Sequence, residues 1–177
     1  MTVNWRKALG KAVIPVERQW LHDIAAETEA DFGPGAVIVN IGIFRGATMY
    51  CMRAGAPRAR MVGIDIQYPQ GARLHPSLKA KVIVGDSGKC HKGFEGPVHL
   101  LFIDGDHSYK GVMADIDGWT PKIVPGGVVA FHDYAPEPKV AAKHAGIKRA
   151  VLIWELEAQW ELIPAAGSIR AYRRPVA

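Results

Sequence analysis

Apolar positions along the chain recur with two different periods. Val16, Trp20 and Ile24 fall at helical spacing in a stretch that starts after Pro15 and stops before Phe32-Gly33-Pro34-Gly35, which predicts a leading amphipathic helix and a turn. Ala36–Ile41 then forms a continuous β-branched run, broken at Gly42, the pattern of a strand covered on both faces. Met61–Ile66, Lys81–Val84, Val98–Ile103 and Gly127–His132 repeat it, with polar or helical stretches between them. The clearest of these helices is His107–Ile123, where Val112, Ile116, Trp119 and Ile123 mark one face and Pro125-Gly126-Gly127 is expected to stop it. Buried strands alternating with helices predict an open α/β sheet. A further helix is expected from about Gly146 to Gln159, followed by two short strands, Trp160–Ile163 and Ser168–Arg174, at hairpin separation. No repeat, low-complexity tract or linker breaks this order, so one domain is expected, a leading helical segment 1–35 and a core 36–174.

A chain of 177 residues that is 49% hydrophobic and 22% charged has the composition of a globular domain with a substantial core, which excludes a disordered tail protein. Its apolar runs are too short to cross a hydrocarbon layer, and Met1–Val16 carries charges where a signal peptide needs an apolar run, so a cytoplasmic protein without a membrane partner is expected. Cys51 and Cys90 are far apart without metal-knuckle spacing and read as small packed thiols. The net charge of +5 is scattered in ones and twos, apart from Arg170, Arg173 and Arg174. Together with the absence of an Asn-Pro-Pro-Tyr or Asp-Pro-Pro-Tyr motif, this argues against nucleic acid as the partner.

In an open parallel sheet, ligands bind outside the carboxyl ends of the strands, near the point where strand order reverses. The first strand ends in Asn40-Ile41-Gly42-Ile43-Phe44-Arg45-Gly46-Ala47-Thr48, a turn with two glycines and a helix N-terminus behind it. Asp65 ends the second strand, where a carboxylate can accept both hydroxyls of a ribose, and Asp86 with Ser87 ends the third, suited to an adenine amino group. The fourth ends in Asp104-Gly105-Asp106-His107-Ser108-Tyr109 and the fifth in His132-Asp133-Tyr134. Asp106 and Ser108 read as helix caps. Asp104, His107 and Asp133 together read as functional, an oxygen-rich place for a hard divalent ion with an imidazole beside it. His22, His75, His91, His99 and His144 read as surface or packing residues.

These strand ends resemble a class I S-adenosylmethionine-dependent methyltransferase, most closely the small-molecule O-methyltransferases that include macrolide-sugar methyltransferases and cephalosporin-hydroxylase-like proteins. The stretches that carry the likeness are Val39–Thr48, Gly63-Ile64-Asp65, Gly85-Asp86-Ser87, Leu101–Tyr109 with Asp115, and Pro125-Gly126-Gly127 through Tyr134, within a match running from Ala36 to Arg174. The resemblance implies a Rossmann-like sheet of seven strands, mostly parallel with a C-terminal antiparallel hairpin, and helices on both faces. It implies a cofactor, S-adenosylmethionine, held by Asn40, Gly42, Gly46, Asp65, Asp86, Ser87 and Asp104. His107 is the implied general base toward a small-molecule hydroxyl acceptor. In metal-dependent relatives the positions of Asp104, Asp133 and His132 hold magnesium. Two departures stand out: Asn40 where the family has Glu or Asp, and His132 where metal-dependent relatives have an acidic ligand. With little chain left for a cap domain, a small or exposed acceptor is expected, or a pocket completed by a second subunit in a homodimer.

Three other readings compete. His107, His132 and Asp104 or Asp133 could supply the two-histidine, one-carboxylate iron site of a metal-dependent hydroxylase. Asn40 hints at a non-catalytic cofactor-binding protein. An NAD-binding domain is disfavoured, because the glycines of the first turn are four apart and lack G-x-G-x-x-G spacing.

Overall fold

The computed structural model describes residues 13–67, 74, 76–135, 142 and 144–176. His75, residues 1–12 and most of the stretch between Ala135 and His144 lie outside the described residues. The order along the chain is α1 (Pro15–Phe32), β1 (Val37–Ile41), α2 (Ala47–Gly55), β2 (Arg60–Asp65), β3 (Ala80–Val84) and α3 (Ser87–Cys90). It continues with β4 (Val98–Ile103), α4 (Tyr109–Trp119), β5 (Ile123–Phe131), α5 (Ala145–Ala158), β6 (Glu161–Ile163) and β7 (Arg170–Arg173). No described helix is long and apolar enough to cross a membrane.

One seven-stranded sheet has the order β3-β2-β1-β4-β5-β7-β6. The strands from β1 to β5 pair in parallel, and β7 is antiparallel to both β5 and β6. β1 is buried at every position, as its unbroken β-branched run requires when helices cover both faces. One core face packs Ile38, Leu100 and Phe102 against α1 and α2, and the other packs Val39, Leu101 and Phe131 against α4 and α5. The order reverses between β1 and β4, so the crevice for a ligand opens above their carboxyl ends.

Two local expectations are corrected. β3 is an edge strand and is not buried, because only β2 pairs with it and none of its residues reaches full burial. Pro125-Gly126-Gly127 does not stop the helix before it. α4 ends at Trp119, a 3-10 turn covers Thr120–Lys122, and β5 already begins at Ile123. The register of β4 against β5 shifts between Val98 and Leu100, a bulge that accommodates a proline with no ladder donor.

Candidate active site

The glycine turn after β1 is built by hydrogen bonds that come from side chains on either side of it. Asn40 is fully buried; its Nδ2 donates to the carbonyl of Gly42 at 2.6 Å and its Oδ1 accepts from Thr48 Oγ1 at 2.7 Å. Both ends of its amide therefore hold the turn, and Asn40 does not line the crevice. Gly42 adopts φ +82°, and a Cβ there would overlap the carbonyl oxygen of Asp104. Gly46 is the left-handed N-cap of α2 and packs against Leu74.

Asp65 clamps the turn from β2. Its Oδ2 accepts from the backbone N–H of Ile43 at 2.8 Å and of Phe44 at 3.0 Å, and its Oδ1 accepts from Gln67 N at 3.0 Å. A carboxylate offers about four lone-pair sites. Three are in use, and the remaining one, on Oδ1, is free to accept from a ligand. Asp86 accepts from Gly88 N at 3.0 Å as the N-cap of α3, and it pairs with Lys89. Ser108 caps α4, as expected, accepting from Gly111 N at 3.1 Å, whereas Asp106 is not a helix cap and instead accepts from Ser108 N and Oγ.

A cavity of about 570 Å3 runs along this rim. Gly42, Asp65, Ser87 and Asp104 line it, whereas Asn40, Gly46 and Asp86 stand behind or beside it. Among the described residues that line it, three carboxylates, Asp65, Asp104 and Asp106, face it and no lysine or arginine does, on a chain whose net charge is +5. The cavity is thus suited to a cation and repels a phosphate-bearing cofactor.

Under its wall lies Asp115 of α4, 1% exposed, with neither oxygen hydrogen-bonded. Burial, with Asp86 and Asp106 adding like charge, pushes its carboxyl from 3.8 up to about 6. The folded chain therefore holds that proton more tightly than the unfolded one. Stability is full below the unfolded value and falls as the pH rises through the folded one. Asp115→Asn is expected to add about 2 kcal/mol at pH near 8 and little at pH near 4. Thermal denaturation at both pH values checks this; equal shifts at both would refute it.

Asp104 also belongs to a second group, at the ends of β4 and β5. His107 Nε2 lies 3.6 Å from Asp104 Oδ1 and 3.5 Å from Asp133 Oδ2, and His132 Nδ1 lies 3.3 Å and 3.6 Å from the same two oxygens. Sequence reading had set His144 aside as a surface or packing residue. The structure brings it in: it is 9% exposed, its Nδ1 is 2.9 Å from Asp133 Oδ2, and its ring stacks on His107 at 4.4 Å. No periodicity marks it, because a histidine at a helix start has no pattern of its own. The other described histidines do pack or sit at the surface; His99, for example, accepts from Val37 N and tilts against Phe32.

Glu17 of α1 was also missed. It sits where a helix-start carboxylate is ordinary, and it does accept from Ile14 N at 3.1 Å. It also meets His132 Nε2 at 3.3 Å and accepts from Ser168 N and Oγ at 2.8 Å each. Burial opposes its charge, yet His132 and Ser168 outweigh burial and bring Glu17 from 4.5 down to about 2. For His132 burial disfavours the cation, but Asp104, Asp133 and Glu17 together raise it to about 12. Asp133 is held below the usual carboxylate range, against burial, by the three imidazoles around it.

Beyond His144 opens a second cavity of about 650 Å3, mostly apolar, between Tyr134, Leu152 and Ile153, with Lys148 and Arg149 on its wall. Both cavities border the His–Asp group, one through Asp104 and the other through His144.

Comparison with known proteins follows the same layout. A family model described as a methyltransferase domain matches residues 39–134, more than half of the chain. An uncharacterized protein of Sinorhizobium fredii, y4gI, is 49% identical over 39 residues, which is 22% of this chain and only 4% of that protein's length. Among solved structures, the O-methyltransferase NovP superposes with a TM-score of 0.67 at 16% identity, covering 88% of this chain and 79% of its own. The O-methyltransferase from Bacillus cereus in complex with SAH gives 0.70 at 18% identity, over 93% and 84%. MycE, a methyltransferase from the mycinamycin biosynthetic pathway in complex with Mg and SAH, gives 0.61 at 16% identity, over 84% of this chain and 48% of MycE. At these identities the likeness is one of fold.

Proposed function

The chain belongs to the methyltransferase-domain family, and on that premise we propose that it transfers the methyl group of S-adenosylmethionine to a hydroxyl oxygen of a small-molecule acceptor. What carries this reading is that the charged side chains among the described residues lining the cavity beside the glycine turn, Asp65, Asp104 and Asp106, are all acidic, on a chain of positive net charge. A sulfonium is a cation before transfer and a neutral thioether after it, so such a wall favours substrate over product. Asp65 accepts a ribose hydroxyl, Ser87 faces the adenine, and the backbone at Gly42 admits the methionine part.

A methyl sulfonium is already activated, and the protein's task is to align the acceptor and dispose of its proton. The acceptor enters through the apolar cavity and presents its hydroxyl at the His–Asp group, where the proton is given up. His107, the base implied by the resemblance, stands in that group. The apolar wall suits a ring or an aliphatic body, and Lys148 and Arg149 suit an anionic substituent.

Magnesium, which accompanies SAH in MycE, does not fit this donor set. Magnesium takes oxygen ligands, whereas imidazole nitrogens of His107, His132 and His144 surround the two carboxylates here. No step is assigned to it.

The direct test is thermal denaturation with S-adenosylmethionine or S-adenosylhomocysteine, since a ligand above its dissociation constant must raise Tm. No shift with either would end the reading. Asp65→Ala removes three charge-assisted hydrogen bonds from the turn and is expected to weaken S-adenosylhomocysteine binding by about 10- to 100-fold in calorimetry. Unchanged affinity would refute its role.

A further inference from the structure

α5 is apolar on both of its sides. Ile147, Ala150 and Val151 are buried against the sheet, and Trp154 packs against the same core. On the opposite side Leu152 is 44%, Ile153 37% and Leu156 84% exposed. Outward positions in the body of α1 carry Gln19, Asp23 and Glu27, and those of α4 carry Lys110, Ala114 and Asp117. A single exposed leucine is ordinary, but a helix that is hydrophobic all round is normally covered on every side. Leu162, 49% exposed on the edge strand β6, enlarges the apolar surface. It stands opposite Tyr172 in the ladder, and so projects to the face of the sheet on which Tyr172 meets Trp154 of α5.

The charges on this outward stripe are ordered against the helix that carries them. Lys148 and Arg149 lie near the start of α5, and Glu155 and Glu157 lie in its last turn. A helix favours anions at its N-terminus and cations at its C-terminus, and α5 has no acidic residue in its first turn and no basic one in its last. Glu155 is paired with Arg170, whereas Lys148, Arg149 and Glu157 have no ion-pair partner among the described residues. The two cations rest only over aromatic rings, Lys148 over Tyr134 at 5.9 Å and Arg149 over Tyr109 at 4.7 Å.

A second α5 laid alongside in the reverse direction answers both features. A two-fold axis passing between Leu152 and Ile153 sets Leu152 against Ile153 of the partner subunit, Arg149 against the partner subunit's Leu156, and Lys148 against the partner subunit's Glu157. Apolar groups then meet at the centre and opposite charges at both ends. Under a two-fold axis each contact occurs twice and the assembly closes at two copies. An unrelated partner would need the complementary charge order by coincidence; a second copy carries it necessarily.

We propose that the chain forms a two-fold homodimer through antiparallel α5 helices, with Leu152, Ile153 and Leu156 at its centre and Lys148 paired with the partner subunit's Glu157 at each end. Lys148, Arg149, Leu152 and Ile153 also line the apolar cavity, so the second helix walls that cavity from outside. On the reading proposed above, the acceptor site is then complete only in the dimer, and Arg149 is the cation left to meet an anionic substituent.

Sedimentation equilibrium on the full chain measures the association without cofactor or acceptor, so its outcome is separate from that of the methyl-transfer reading. The wild type is expected at twice 19.3 kDa, with a dissociation constant on the order of micromolar. Leu156→Glu, at the most exposed of these positions, is expected to weaken association by about 100-fold. Lys148→Glu and Glu157→Lys each set like charges face to face and should weaken it by about 10-fold, whereas the double variant restores opposite charges and should return to within about threefold of the wild type. Circular dichroism establishes that each variant is folded. A wild type that stays at 19.3 kDa up to about 200 μM, as it would if another part of the chain or another protein covered the face, would overturn the proposal. So would an unchanged dimer in folded Leu156→Glu, or a double variant no tighter than the single ones.

Discussion

Replacing His107 by alanine is expected to abolish methyl transfer, a loss of at least about 10^2- to 10^4-fold, while S-adenosylhomocysteine affinity stays within about twofold. The imidazole reaches the carboxylates of Asp104 and Asp133 but does not line the cavity assigned to the cofactor. Its removal therefore touches the acceptor's proton and not the sulfonium's seat. With the imidazole gone the acceptor's proton has no taker, so turnover goes and cofactor binding remains. Single-turnover kinetics beside calorimetry separates the two quantities. A fall in cofactor affinity as large as the fall in rate would contradict the assignment.

Gly42→Ala is expected to be the most damaging single change to the fold of the crevice, costing about 2–4 kcal/mol. Two penalties coincide there. The backbone is left-handed at φ +82°, which disfavours any Cβ, and the added carbon has no space, because the carbonyl of Asp104 lies against the glycine. That carbonyl belongs to backbone and cannot swing away like a side chain. The strand end must move, carrying with it Asp104, which lines the acidic cavity and belongs to the His–Asp group. Denaturant unfolding should show the loss in midpoint, and S-adenosylmethionine should no longer raise Tm. A variant with wild-type stability and affinity would mean that the turn is looser than its hydrogen bonds indicate. Gly33→Ala is an instructive control: it shares the positive φ, yet nothing lies within 4 Å of the added carbon.

Much of the fold was legible because burial leaves a periodic trace. β1 and β4 are covered on both faces and read as apolar runs interrupted only by Asn40 and His99; α1 and α4 alternate with period 3.6. Legibility fails where tertiary context overrides local preference. β3 reads like its neighbours but lies at the edge, and Pro125-Gly126 looks like a stop signal but sits in a bulged strand. At the site, Asp65, Asp104, His107 and Asp133 could be found because strand ends are where a parallel sheet receives ligands. Asn40 was visible as unusual, but its two bonds to the turn depend on side-chain direction, which a sequence does not record. His144 and Glu17 are singletons at the first turns of helices, brought in by packing from opposite ends of the chain.

That last point bears on the order in which the protein is assembled. Glu17 and Ser168 are joined across 151 positions, whereas the walls of the acidic cavity all come from residues 41–106. A ribosome has therefore delivered every part of the nucleoside compartment long before the final hairpin emerges to latch the first helix. Closing so long a loop is entropically slow, so the latch of the final hairpin on the first helix is expected to form after the walls of the acidic cavity are in place.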